Sequence, residues 1–226
     1  MILSHKHKFI FLKTKKTAGT SIELALSQLC GPEDIITPLS EMDEALRANG
    51  RGAQNWRLHG WWKSPHALKR VKLKTKDYGY YNHAKAAEIC EHIDEKVWRS
   101  YFKFAFERNP WDRQVSLYYH RYRHEKEPPP FTTFIHTDKR AQMNNYDIYA
   151  IDGNISVDFI GRFENLEEDL KRALEHVGLT LATELPRAKT TSRHGNNPYR
   201  KYYDEDTRDI VGRWYAREIE LLGYEF

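Results

Sequence analysis

The most chemically dense segment is Lys13-Thr14-Lys15-Lys16-Thr17-Ala18-Gly19-Thr20-Ser21. It lies between the apolar run Phe9-Ile10-Phe11-Leu12 and a helical stripe of Ile22, Leu26 and Leu29. A loop leading from a strand into a helix can hold an anion. The first N–H groups of the helix lack intrahelical partners, and the helix dipole puts partial positive charge there. Ala18 and Gly19 are small enough for a phosphate to approach the backbone, Thr17, Thr20 and Ser21 add hydroxyl donors, and the lysines add full charges. The Walker A loop shares this architecture but requires G-x-x-x-x-G-K-[ST]. Here the lysine precedes the glycine and the first glycine is missing, which disfavours a Walker-type kinase. Standing alone, the segment also reads as an ordinary strand-to-helix turn, with Thr20 and Glu23 spaced as a capping box.

A second segment of the same kind is Arg108-Asn109-Pro110-Trp111-Asp112-Arg113-Gln114-Val115-Ser116, which follows the apolar run ending at Phe106 and enters another helix. Arg108 has the planar fork for a bidentate phosphate contact, and Ser116 could add a hydroxyl from the same side. Asp112 reads as an N-cap paired locally with Arg113, Trp111 and Tyr118 as core, and Glu107 as a buried or strand-end ion-pair partner. In an open α/β sheet, ligands bind at the carboxyl ends of the strands, where both loops are expected.

Together these motifs resemble the two cofactor-binding motifs of the sulfotransferases that use 3′-phosphoadenosine-5′-phosphosulfate (PAPS). The resemblance is strongest to the branch containing the Golgi carbohydrate sulfotransferases and their small bacterial relatives. It continues through Asp158-Phe159-Ile160-Gly161-Arg162-Phe163-Glu164-Asn165-Leu166 and the ending Ile219-Glu220-Leu221-Leu222-Gly223-Tyr224-Glu225-Phe226. It covers nearly the whole chain apart from residues near 32–80.

The resemblance implies that Lys16, Thr17, Ala18, Gly19, Thr20 and Ser21 hold the 5′-phosphosulfate, with Lys16 on the oxygen bridging phosphorus and sulfur. Arg108 and Ser116 would hold the 3′-phosphate. Arg193, in a late basic loop spanning 187–201, would add a phosphate contact, although that loop also reads as merely solvated. An acceptor hydroxyl needs a base. His83, in Asn82-His83-Ala84-Lys85, matches the position where this branch often places a histidine before a helix; His59, His66 and Glu107 are the competitors. The implied co-substrate is PAPS, its by-product is 3′-phosphoadenosine-5′-phosphate (PAP), and no metal is implied.

These loops need an α/β framework to position them. Strands are expected at 9–12, 101–106 and 157–161, with a hairpin over 149–155 around Asp152-Gly153. Helices are expected from Thr20 to Gly31, over 84–92, 112–124 and 165–177, and as one final helix over 205–222. The alternation predicts a single domain, 1–226, with a mostly parallel central sheet flanked by helices and a P-loop-like nucleotide site. An irregular insertion at about 32–81 is expected on the acceptor side.

Composition narrows the classes. The chain has 226 residues, 40% hydrophobic and 13% aromatic, enough for one core and incompatible with a disordered chain. No run approaches a membrane span, and Phe9–Leu12 is too short for a secretory leader, so a soluble, cytoplasmic protein is expected. Cys30 and Cys90 have no metal or disulfide spacing and read as packing thiols. Between Arg57 and Lys76 there are basic residues and no acid, close to Trp56, Trp61 and Trp62. That combination suits an anionic glycan as acceptor. A non-enzymatic nucleic-acid binder would also use it, but would not explain two anion loops at strand ends.

Overall fold

The structure, a computed structural model, describes residues 1–47, 50–58, 79–181, 185 and 198–226. Its central sheet contains β1 (Ile2–Ser4), β2 (Phe9–Leu12), β3 (Ile35–Ile36), β4 (Phe102–Glu107) and, after the hairpin strands β5 (Ala150–Ile151) and β6 (Asn154–Ile155), β7 (Phe159–Arg162). The order across the sheet is β3-β1-β2-β4-β7. The pairs β2–β4 and β4–β7 are parallel, and β1 is antiparallel to both β2 and β3. Only β1 therefore runs against the common direction.

Side-chain alternation sorts the core into two layers. Phe9, Phe11, Phe104 and Phe106 face α1 (Gly19–Ser27), through Ile22 and Leu26. The same layer receives Leu170, Ala173 and Leu174 from a helix spanning Leu166–His176. Ile10, Leu12 and Ala105 face the other way, against Tyr80, Ala84, Ala86, Ile89 and Tyr149. A sheet covered on both faces explains why Phe9–Leu12 is apolar without a break. Each such fully buried side chain contributes about 1.5–3 kcal/mol.

The remaining helices follow in chain order: α2 (Glu41–Glu44), α3 (Ala86–Cys90), α4 (Glu95–Ser100), α5 (Pro110–Arg121), α6 (Phe131–Thr137), α7 (Tyr146–Tyr149), α8 (Leu166–His176), α9 (Glu205–Trp214) and α10 (Ala216–Leu222). Helices α5, α6, α9 and α10 enclose a third, aromatic core of Trp111, Tyr118, Phe131, Phe134 and Tyr215. Cys30 is buried and Cys90 half-buried, both as free thiols.

The structure changes several expectations. The final helix is two, broken at Tyr215, whose buried hydroxyl accepts from the Met143 N–H and donates to Gln114 Oε1. Strands β1 and β3 had too few apolar residues to read as strands; they form because β2 and β1 supply edges to pair with. The insertion holds β3 and α2, so part of it is regular, and 59–78 lie outside the described residues. The Asp152-Gly153 hairpin forms as expected, both residues with positive φ. No helix among the described residues is long and apolar enough to cross a membrane.

Candidate active site

Strands β2 and β4 run parallel in register, with Leu12 opposite Ala105. The loops that follow, 13–18 and 108–109, therefore leave the sheet side by side at its carboxyl edge. That edge is where an open α/β sheet leaves a crevice for ligands.

The first loop is held at successive residues. The Lys13 carbonyl accepts from His83 Nδ1 at 2.9 Å. The Thr14 hydroxyl donates to the Phe106 carbonyl. Asn145 binds both sides of Lys15: its Oδ1 accepts the Lys15 N–H at 3.0 Å, and its Nδ2 donates to the Lys15 carbonyl at 3.0 Å. Arg108 Nη1 donates to the Lys16 carbonyl at 3.4 Å. These restraints impose left-handed backbone on two ordinary residues, Lys16 (φ 65) and Ala18 (φ 60). Such conformations cost about 1–3 kcal/mol each and persist only where the surroundings over-determine them.

Helix α1 starts at Gly19 with Ala18 as N-cap and no side chain capping it. The expected Thr20–Glu23 capping box does not form. Glu23 lies in the second turn, fully buried, and accepts from Lys13 Nζ at 2.6 Å. Gly19 is required by the same lysine, because a Cβ there would sit 2.6 Å from Lys13 Cγ. Thr17 is buried and its hydroxyl bonds Thr14 Oγ1 at 2.8 Å, so it braces the turn. Thr20 and Ser21 sit in the first turn of α1, also buried.

In the second loop the N-cap of α5 is Asn109, whose Oδ1 accepts from the N–H groups of Trp111 and Asp112. Pro110 occupies the first helical position, where its missing N–H costs nothing. This corrects the reading of Asp112 as cap and of Arg113 as its partner. Asp112 Oδ2 instead accepts from Arg108, at 2.8 Å from Nε and 2.6 Å from Nη2. The Arg108 guanidinium also lies over the Phe163 ring, 4.0 Å from its centroid. Ser116 is half-buried on the face of α5 one turn beyond Asp112. Glu164 accepts from the Asn109 N–H at 2.7 Å and from the Tyr224 hydroxyl at 3.2 Å, which ties the segment 158–166 and the chain's last residues to this loop.

Arg113 is fully buried between Glu107 Oε2 at 2.6 Å and Glu218 Oε1 at 3.4 Å. Glu107 is therefore a buried ion-pair partner. Burial pushes its carboxyl up, against the pull of Arg113. Burial, with the charges of Lys85 and Arg113, holds the half-buried Lys15 ammonium below its ordinary value.

His83 stands in left-handed backbone (φ 63) just before α3. Its neighbour Asn82 is held by Lys13 Nζ at 3.3 Å and by donation to the Pro38 carbonyl at 2.9 Å. A carbonyl oxygen can only accept, so Nδ1 carries the proton in its bond to Lys13. Burial then pushes the imidazole pKa down to about 4, the charges of Lys13 and Lys15 assisting. At neutral pH the ring is uncharged with its lone pair on Nε2. That is the form a general base needs.

Two of these partners, Asn145 and Glu218, carried no sequence signal, because isolated polar residues have no periodicity to read; Lys13 was part of the first motif, but its pairing with Glu23 was not legible there. Arg193, His59, His66, Trp61 and Trp62 lie outside the described residues. Trp56 is half-buried, packs against the second core layer, and has Arg57 5.1 Å from its ring centroid.

Comparison with known proteins is consistent with this geometry. The family described as the sulfotransferase family matches residues 1–225. An uncharacterized protein of Archaeoglobus fulgidus is 34% identical over 95 residues, which span 40% of this chain and 79% of that protein.

Proposed function

The chain belongs to the sulfotransferase family, and from that premise we propose that it transfers a sulfuryl group from PAPS to a hydroxyl of a carbohydrate acceptor. The observation that carries this reading is Arg108, which reaches from the second loop to the Lys16 carbonyl of the first and so joins two anion sites at one sheet edge.

The residues suit the ligand. An uncapped helix start beside Ala18 and Gly19 offers backbone N–H groups to an anion. Lys16, Thr17, Ala18, Gly19, Thr20 and Ser21 would hold the 5′-phosphosulfate, and Arg108 and Ser116 the 3′-phosphate, with Arg193 as a further contact. When bound, PAPS supplies a sulfuryl group already attached to a phosphate leaving group. His83 Nε2 takes the proton of the acceptor hydroxyl as its oxygen attacks sulfur. Lys16 and the start of α1 stabilise the charge that develops on the departing phosphate oxygen. The commitment of Glu107 to Arg113 favours His83 over Glu107 as the base. A carbohydrate acceptor is supported by the resemblance to the carbohydrate branch and by the basic, tryptophan-rich composition after Trp56.

The test is calorimetric titration with PAP, using AMP and ATP as controls, on the wild type and Arg108→Ala. PAP is expected to bind tightest, and Arg108→Ala to weaken it by roughly 10- to 100-fold while weakening AMP distinctly less. ATP binding as well as PAP would overturn the reading in favour of a nucleotide-dependent kinase.

A further inference from the structure

Asn145 is fully buried, 130 positions from Lys15 in sequence, and its side chain binds both backbone groups of that one residue of the first loop, the N–H on one side and the carbonyl on the other. A buried amide that accepts from one residue's N–H and donates to the same residue's carbonyl mimics a strand partner. It leaves that residue no freedom to rotate. The residue it fixes immediately precedes Lys16, whose positive φ demands outside restraint.

Asn145 is itself anchored. Its Nδ2 lies 3.5 Å from Glu107 Oε2, the oxygen that accepts from Arg113 at 2.6 Å. Arg113 in turn reaches Glu218 on α10. Its backbone is held as well, since the Asn145 carbonyl accepts from the Ile148 N–H at 2.8 Å at the start of α7. A buried charge cluster at the end of β4 and an amide before α7 thus converge on the turn that presents Lys16.

We propose that Asn145 is a positioning residue for the 5′-phosphate half of the nucleotide site, setting the loop that carries Lys16 without touching the ligand. The proposal rests on the PAPS reading. It predicts a selective effect, because Arg108 is held on its own loop by Asp112 at 2.8 Å and by the Phe163 ring, and its contact with the first loop, at the Lys16 carbonyl, is the longer one at 3.4 Å.

The experiment compares PAP with adenosine 3′-monophosphate, which lacks the 5′-phosphate, by calorimetry. The proteins are the wild type, Asn145→Ala and Asn145→Ser. Asn145→Ser keeps a small polar group and sets no charge beside Glu107, yet lacks the amide that grips both backbone groups of Lys15, so it serves if Asn145→Ala fails to fold. In the wild type, PAP should bind more tightly than the 3′-monophosphate. In the variants that advantage should shrink at least about tenfold, the loss of a charge-assisted contact, while affinity for the 3′-monophosphate stays within about twofold. Equal weakening of both ligands, or an unchanged ratio, would overturn the positioning role. A wild type that binds neither ligand would instead overturn the PAPS reading itself.

Discussion

His83 Nδ1 donates to the Lys13 carbonyl at 2.9 Å, so the histidine before α3 is fastened to the first residue of the loop between β2 and α1. One bond joins the candidate base to the candidate donor site, and it leaves Nε2 as the basic nitrogen. The orientation follows from the acceptor being a carbonyl.

Replacement of His83 by Gln is expected to lower kcat by about 10²–10⁴-fold while PAP affinity holds. The acid limb of the wild-type rate should fall near pH 4, where the buried imidazole protonates, well below the ordinary histidine range. A pH–rate profile checks both. An acid limb near pH 6.5 would show that the reacting histidine is solvated, and so a different one.

The same shift has a stability consequence. The folded pKa of His83 lies below the unfolded value of 6.5, so between about pH 4 and 6.5 the unfolded chain binds the extra proton. Stability is then full above pH 6.5 and declines as pH falls towards 4, by up to about 3 kcal/mol. Urea unfolding of wild type and His83→Gln at pH 7.5 and pH 5 should show the wild type losing more of its stability.

Arg113→Met would leave Glu107 and Glu218 buried without their shared cation. Removing one partner from such a cluster costs about 3–5 kcal/mol. A urea midpoint close to wild type would mean that these carboxyls find another partner or take up protons at no cost.

Gly19→Ala would bring a Cβ to 2.6 Å from Lys13 Cγ, and Lys13 cannot swing aside without leaving Glu23 and Asn82. The expected loss is about 1–3 kcal/mol, read from thermal and urea unfolding, together with weaker PAP binding. Unchanged stability would show that the lysine yields freely.

Much of this architecture is legible in the order of residues. The phenylalanine-rich runs at 9–12 and 102–106, the small and hydroxyl residues at 17–21, and Arg108 ahead of Pro110 each announce a local structure, because strands, helix starts and anion loops depend on near neighbours. Their order also carried the family resemblance. What the tertiary structure decided is how those loops are held: Asn145 on Lys15, Arg108 on Asp112 and Lys16, Arg113 between Glu107 and Glu218, and Glu23 on Lys13 in place of a helix cap. The long-range pairings join single polar residues up to 130 positions apart, so no repeat in the sequence marks them. The local pair of Asp112 went to Arg108 and not to Arg113 because the strand end turns Arg113 into the core. Partners of this kind are chosen only when strand register brings the side chains together where water is absent and each must find a counterpart.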